Sequence, residues 1–361
     1  MGLGHAITRH EDDILLRGQG RFAGDVAVDG ALWMHVVRSD HAAGLLRGID
    51  AEGARVMPGV RLILTGADQA AAGLSSFALR YLPAGAQVTP TPFLPLAVDA
   101  VRWVGEPVAV VVADTAMQAQ DAAEALIVDI DDGSAVTDAR AAALPDAPKV
   151  WAERDSNRIF EHHLGDAEAF EAAAAKATNR IDARIEISRV TATALEPRNA
   201  LALPDAQGCL TLHTGTQAPH RVRAELSLVL GLKPDQLRVS ATHTGGSFGM
   251  RNGAYPEDAL VLWAARITGQ PVRWQATRSD SFVADAQSRQ QSVDVSLLLD
   301  ANHRFLGLRV DGYAPVGAHI GPMSMHPMTA NLPGLAGVYT TQALHVVMRG
   351  MHVNSVYMAP Y

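Results

Sequence analysis

Apolar positions recur along the chain with two spacings, and these mark out its elements. Gly30–Ser39 alternates in part and reads as a strand; Pro58-Gly59 then turns the chain into a second strand over Val60–Leu64. Pro107–Val112 is a continuous apolar run, the pattern of a strand buried on both faces. A helix is expected after it, capped by Asp114 and running to about Leu126, with Ala116, Ala119, Ala122, Ala123 and Leu126 on one face. Ile127–Ile130 reads as the next strand, closing an α/β module over residues 1–139. Within it, residues 69–95 are rich in Ala, Gly and Pro and are expected to form a long surface segment. Residues 140–163 carry Pro145, Pro148 and a charged stretch around Glu153 and are expected to be a linker.

The second stretch, 164–361, opens with a helix capped by Asp166 and reaching about Ala177. Strands are expected at Arg180–Ile187, Leu210–Thr214 and Leu237–Thr242. Pro219 suits the first position of a helix that ends at Gly231, and a second helical pattern spans Pro256–Thr268. Val293–Leu297 and Phe305–Tyr313 flank a turn and predict a hairpin, and 315–334 reads as loop. The fold class is therefore α+β, a mixed α/β chain in two parts.

Composition narrows the function. Of 361 residues, 48% are apolar and 19% charged, which suits a folded chain and not a disordered one. A net charge of −8 argues against nucleic acid as a partner. No apolar run is long enough to span a membrane, and Met1–Arg21 lacks the apolar segment of a signal peptide, so no membrane role and a cytoplasmic location are expected. The single cysteine, Cys209, rules out an internal disulfide and a cysteine-held cluster within this chain, and is expected to be a buried strand residue.

The chemistry concentrates in Thr244-Gly245-Gly246-Ser247-Phe248-Gly249-Met250-Arg251, between an expected strand and an expected helix. A glycine-rich loop brings backbone N–H groups close to a bound oxyanion, phosphate or metal-bound oxygen. The spacing matches neither a dinucleotide fingerprint nor a phosphate loop, and on these residues alone a plain tight turn is the simpler account. Gln217 precedes the helix at Pro219; it either caps that helix or joins the glycine loop in holding one anionic group. His319 and His326 fit no metal-ligand spacing, nor do His162, His163 and His220.

Taken in order, a longer series of motifs resembles the molybdenum-cofactor subunit of the xanthine dehydrogenase, aldehyde oxidase and carbon monoxide dehydrogenase family. The series includes Leu15-Leu16-x-Gly18-x-Gly20-Arg21-Phe22, Arg102-Trp103-Val104-Gly105-Glu106-Pro107, Leu195-Glu196-Pro197-Arg198, Thr216-Gln217-x-Pro219-His220 and Gly245–Gly249. The resemblance implies a hammerhead-like N-terminal domain, followed by the first part of a molybdopterin-binding domain. It implies a molybdenum–pterin cofactor, in bacteria often the cytosine dinucleotide, with Gln217, Gly246, Ser247, Phe248 and Gly249 as cofactor-binding residues. The implied reaction is oxidative hydroxylation of a small-molecule aldehyde or N-heteroaromatic substrate. Electrons would pass to 2Fe-2S and FAD subunits.

Departures from the family pattern shape the expectation. Ser247 stands for a glycine and Arg251 for a lysine. Asn252 replaces the glutamate of purine-oxidising members, and no arginine lies between Val310 and Met348, which disfavours a purine. No glutamate follows Glu257, so the family's base is not expected in this chain, which is read with no catalytic residue of its own and no direct metal ligand. The expected arrangement is a split subunit whose partner, a C-terminal molybdenum-cofactor chain, completes the site. The alternative is a truncated, non-catalytic scaffold.

Overall fold

The apolar run at Pro107 forms a strand with every residue buried. In the computed structural model, which describes residues 3–361, the first stretch contains α1 (Asp12–Leu16), β1 (Leu32–Arg38), β2 (Gly44–Asp50), α2 (Glu52–Arg55), β3 (Val60–Thr65), α3 (Gly66–Ala71), β4 (Ala100–Val101), β5 (Pro107–Ala113), α4 (Ala116–Glu124) and β6 (Ile127–Asp132). The second contains β7 (Arg158–Gly165), α5 (Ala167–Ala174), β8 (Asn179–Ile187), β9 (Asn199–Pro204), β10 (Leu210–Thr214), α6 (Pro219–Leu230), β11 (Leu237–Ser240), α7 (Pro256–Thr268), β12 (Val272–Gln275), α8 (Arg278–Ala284), β13 (Gln291–Leu299), β14 (Phe305–Pro315), α9 (His326–Thr329) and β15 (Ala343–Met351).

The strands form three sheets, in a mixed α/β fold as expected. A seven-stranded sheet has the order β11-β10-β9-β12-β1-β5-β3, a five-stranded sheet β7-β15-β14-β13-β8, and a small one β4-β2-β6. The largest sheet takes strands from both stretches: β1 pairs antiparallel with β5 and parallel with β12, Leu32 opposite Val272. Its core is closed by α7, whose residues Pro256–Ala265 are all buried. The helix holds that position because its apolar residues run all round it.

Several expectations hold to the residue. β10 and α7 have the expected bounds, α6 starts at Pro219 and stops on a left-handed Gly231, and Asp166 caps α5 by accepting from Ala169 N at 2.9 Å. β13 and β14 form the expected hairpin.

Others are corrected. Thr115, not Asp114, caps α4: its Oγ1 accepts from Gln118 N, while Asp114 turns outward to Arg61 at 2.7 Å. Ala116 accordingly falls on the exposed side. Residues 69–95 run along the surface for about half their positions but are anchored inward at others. Gln69 is buried and exchanges two hydrogen bonds with the Leu96 backbone, and Phe77 and Phe93 enter the main core. Proline and glycine there deny regular structure without denying burial. Within the stretch 140–163, Trp151 is buried and β7 starts at Arg158. Cys209 is half-buried, in the turn before β10, where its N–H donates to Asp205. No helix among the described residues is long and apolar enough to cross a membrane.

Candidate functional site

β10 and β11 are neighbouring parallel strands, with His213 opposite Ser240, so the chain leaves both on the same side of the sheet. Parallel strands present their following loops together at their carboxyl ends, the usual place for a ligand in an open α/β sheet. This juxtaposition brings Gln217 and the glycine loop into contact. Ser247 Oγ donates to Gln217 Oε1 and accepts from Arg251 N at 3.2 Å. Gln217 therefore does not cap its own helix; α6 starts from Ala218, which makes no side-chain cap.

The glycine loop is held from behind by Glu196. One carboxylate oxygen accepts from Gly245 N at 2.7 Å and lies 3.1 Å from Arg251 Nη1; the other accepts from Asn199 Nδ2 at 2.9 Å. Arg251 is buried, with burial pulling its pKa down against the opposing pull of Glu196. Its backbone oxygen receives Thr216 Oγ1 at 2.9 Å and Gln217 N at 3.2 Å. One residue thus ties the two loops together through its main chain while its side chain fills the space beneath them. A Cβ on Gly215 would lie 2.1 Å from Arg251 Nη1, so a side chain there would displace the guanidinium.

The loop turns sharply. Gly246 has φ +111, Phe248 φ +54 and Gly249 φ +99. A phenylalanine in the left-handed region is uncommon, and such conformations gather at ligand sites. Phe248 is also 68% exposed. A Cβ on Gly249 would sit 2.4 Å from Pro360 O, so this glycine lets the loop lie against the chain's last residues. Residues 250–255 lie between the glycine loop and α7, which starts at the expected Pro256, where Asp258 accepts from Tyr255 N at 3.0 Å.

The exposed rim is a set of donors. Gln217 has its side-chain oxygen engaged by Ser247, and among the described residues neither its amide NH2 nor the N–H groups of Ser247, Phe248 and Gly249 meet an acceptor. A rim that offers donors and no carboxylate suits an anionic or oxo-bearing group. The residues present therefore fit a molybdenum–pterin cofactor. Beside Gly249 a narrow cleft is lined by Glu225, Asn252, Tyr255, Met323 and Tyr357. Asn252 is held by Arg221 through its side chain and its backbone oxygen.

Behind the site lies a buried ionic network. Arg198 reaches Glu257 at 2.6 Å and Asp285 at 2.5 Å, and Arg38 of β1 reaches Glu257 at 2.8 Å. Burial raises the Glu257 pKa, but the two guanidiniums outweigh it and hold it at about 2. Burial pushes Asp258 up to about 6.

The histidines singled out in the sequence lie in separate settings. His319 is buried between Glu106 and the Pro92 carbonyl, both at 2.7 Å, and His326 packs edge-on against Tyr81. Among the described residues no three His, Cys, Asp or Glu gather as a metal site. Sequence reasoning missed Glu196 as the loop's anchor and Arg251 as the tie between loops. The signal was present in Leu195-Glu196-Pro197-Arg198, but nothing in the spacing says that its carboxylate turns toward residue 245.

Two family models match the chain. The molybdopterin cofactor-binding domain covers residues 150–361, and the aldehyde oxidase and xanthine dehydrogenase a/b hammerhead domain covers 17–132. The nicotine 6-hydroxylase large subunit of Paenarthrobacter nicotinovorans is 32% identical over 99% of this chain and 44% of that protein. The carbon monoxide dehydrogenase large chain of Hydrogenophaga pseudoflava is 30% identical over 95% of this chain and 44% of that one. The crystal structure of quinoline 2-oxidoreductase from Pseudomonas putida 86 superposes with a TM-score of 0.91 at 29% identity, covering 99% of this chain and 45% of that one. The chain spans less than half the length of these relatives.

Proposed function

The chain belongs to the molybdopterin cofactor-binding family, and from that premise we propose that it is one part of the large subunit of a molybdenum hydroxylase. The observation that carries this reading is the meeting of Gln217 with the Ser247–Gly249 loop, which together present a cluster of donors. When bound, the molybdenum–pterin group supplies oxidative hydroxylation of an electron-poor carbon. Gln217 directs its amide NH2 at the group, with the amide plane fixed by Ser247. The Phe248 and Gly249 N–H groups and the Gly246 turn cradle it from the other side. Glu196 and Arg251 keep both loops in place, so the donors are oriented before the group arrives.

The substrate is a small aldehyde or N-heteroaromatic compound. Two relatives, by their names, act on nicotine and on quinoline. Residues 1–139 and 164–361 are the hammerhead-like and cofactor-binding parts, joined through 140–163 and sharing the large sheet. The pterin is the cytosine dinucleotide. The rest of the cofactor site and the base lie on the remainder of the large subunit, outside these residues; 2Fe-2S and FAD subunits take the electrons, and the whole works in the cytoplasm.

The test is to purify the native complex through this chain and measure its subunit masses, molybdenum content and turnover of aldehydes and N-heterocycles. Near-stoichiometric molybdenum with the remainder of the large subunit is the expected result. Gln217→Ala in that complex should lower kcat/KM by roughly 10–100-fold. Unchanged turnover in a metal-loaded complex would remove Gln217 from the role. A metal-free complex with no turnover would make the chain a scaffold.

A further inference from the structure

Beneath the two loops lies a cavity of about 10 Å³, room for one molecule the size of water. Its polar wall is Arg198, Thr214, Thr216, Arg251, Tyr255 and Asp258, every one buried. Most of these groups have their hydrogen bonds committed elsewhere. The Arg198 guanidinium is taken by Glu257 and Asp285, and the Tyr255 hydroxyl donates to Met250 O at 2.8 Å. Thr216 Oγ1 donates to Arg251 O at 2.9 Å. Thr214 faces Asp258, but its one proton goes to Asn199 O at 3.0 Å. Two groups remain. Arg251 Nε is buried and meets no acceptor among the described residues. Asp258 gives one carboxylate oxygen to Tyr255 N at 3.0 Å, which leaves the other for the cavity.

These two groups specify the occupant. A donor and an acceptor of opposite charge border one small space, so the molecule between them must accept once and donate at least once. An anion accepts from Arg251 but has no proton for the Asp258 carboxylate. A cation cannot accept, and it would face two guanidiniums. Water meets both demands. Its second proton can go to the spare lone pair of Thr214 Oγ1, which completes the about three hydrogen bonds usual for a buried water. Without it, Arg251 Nε would carry the full desolvation cost of a buried, unpaired donor.

We propose that this cavity holds one structural water, and that Asp258, acting through it, is a positioning residue for Arg251. The link runs from the first turn of α7 through the water to the Arg251 side chain. The Arg251 main chain in turn accepts from Gln217 N and donates to Ser247 Oγ. Both loops are thereby braced from below by a helix of the core. What this means for the cofactor rests on reading these loops as its site; the water does not.

The test uses the native complex. A crystal structure at a resolution that shows ordered waters should place one within hydrogen-bond distance of both Arg251 Nε and the second oxygen of Asp258. Val222 of α6 lines the same cavity with no polar group, and Val222→Ile fills the space with a methyl group and expels the water. Amide exchange at Gln217 and Arg251 should then quicken about ten-fold or more, because a buried donor is left unpaired, and Tm should fall. In a dry cavity the same methyl group fills a void, so Tm should rise and exchange should stay as it was. Asp258→Ala should quicken the same two amides. Asp258→Asn keeps an oxygen for Tyr255 N and an NH2 for the water, and should restore them; this pair stands in if Val222→Ile does not fold. A dry cavity in the crystal, or exchange at both amides unchanged in Val222→Ile and in Asp258→Ala, would overturn the proposal. Molybdenum content keeps the two readings apart: a complex with the water in place and no molybdenum counts against the cofactor reading alone.

Discussion

Glu257 and Asp258 are adjacent, both buried, and shifted in opposite directions. Glu257 lies between Arg38 and Arg198 and is held at about 2, below its ordinary 4.5. Its contribution to stability is complete above about pH 4.5 and is lost as pH falls toward 2. Asp258, raised to about 6 by burial, runs the other way. Its ionisation opposes folding above about pH 6, and that opposition disappears as pH falls to its ordinary 3.8. His352, which burial lowers to about 3, loses stability for the fold as pH falls from 6.5 to that value, so the protein as a whole weakens in acid. The Asp258 contribution is read by comparison. Asp258→Asn keeps an acceptor for Tyr255 N and should raise Tm at pH 7, with the gain shrinking to nothing near pH 4. A gain that stays constant across that range would refute the shifted carboxyl. At this scale the sequence displayed Gln217 and the loop glycines through their motifs. It did not display Glu196 as an anchor, because its partner Gly245 is distant in the chain and only folding brings the two together.

Among the elements, those whose own sequence determines their ends were legible. Pro219 and Gly231 bound α6, Pro256 and Gly269 bound α7, and the valines of β5 need no context to be read as a buried strand. β2, β9, β12 and β15 were not read from periodicity, because they are short or mixed and owe their strand form to neighbours. β9, for example, lies between β10 and β12. Residues 69–95 were misread for a related reason: composition reports regularity, and burial is set by what the segment crosses. Phe93 is 1% exposed and packs on Phe77, His319 and Tyr357, whereas Leu82 is 50% exposed. Phe93→Ala should cost about 3–5 kcal/mol in a denaturant titration. Leu82→Ala should stay within about 0.5 kcal/mol. Equal, small effects would return the segment to the surface.

In the molecule as a whole, the two sequence stretches share a sheet and an ionic network. β1 and β12 pair across them, and Arg38 of the first stretch is a partner of Glu257 in the second. Both side chains of that pair are nearly excluded from solvent, and removing Arg38 strips Glu257 of one of its two guanidiniums. Arg38→Ala should destabilise the fold by about 1–3 kcal/mol. It should lower the denaturation midpoint equally for a probe near Trp33 and one near Trp274. Two separated midpoints, or a loss confined to the first stretch, would show that the stretches fold as independent units.

The chain by itself determined what depends on near neighbours: the strand at β5, the caps and stops of α5, α6 and α7, the β13–β14 hairpin, and the family to which its ordered motifs point. Those features rest on backbone preference and on apolar spacing within a few residues. Tertiary structure alone decided the rest. It placed β10 beside β11, and so Gln217 beside Ser247; it turned Glu196 toward Gly245; and it drew Gln69, Phe77 and Phe93 of an otherwise exposed segment into the interior. These outcomes depend on which distant segments pair, and the energy that selects a pairing is spread over the whole sheet rather than written in any one stretch of it.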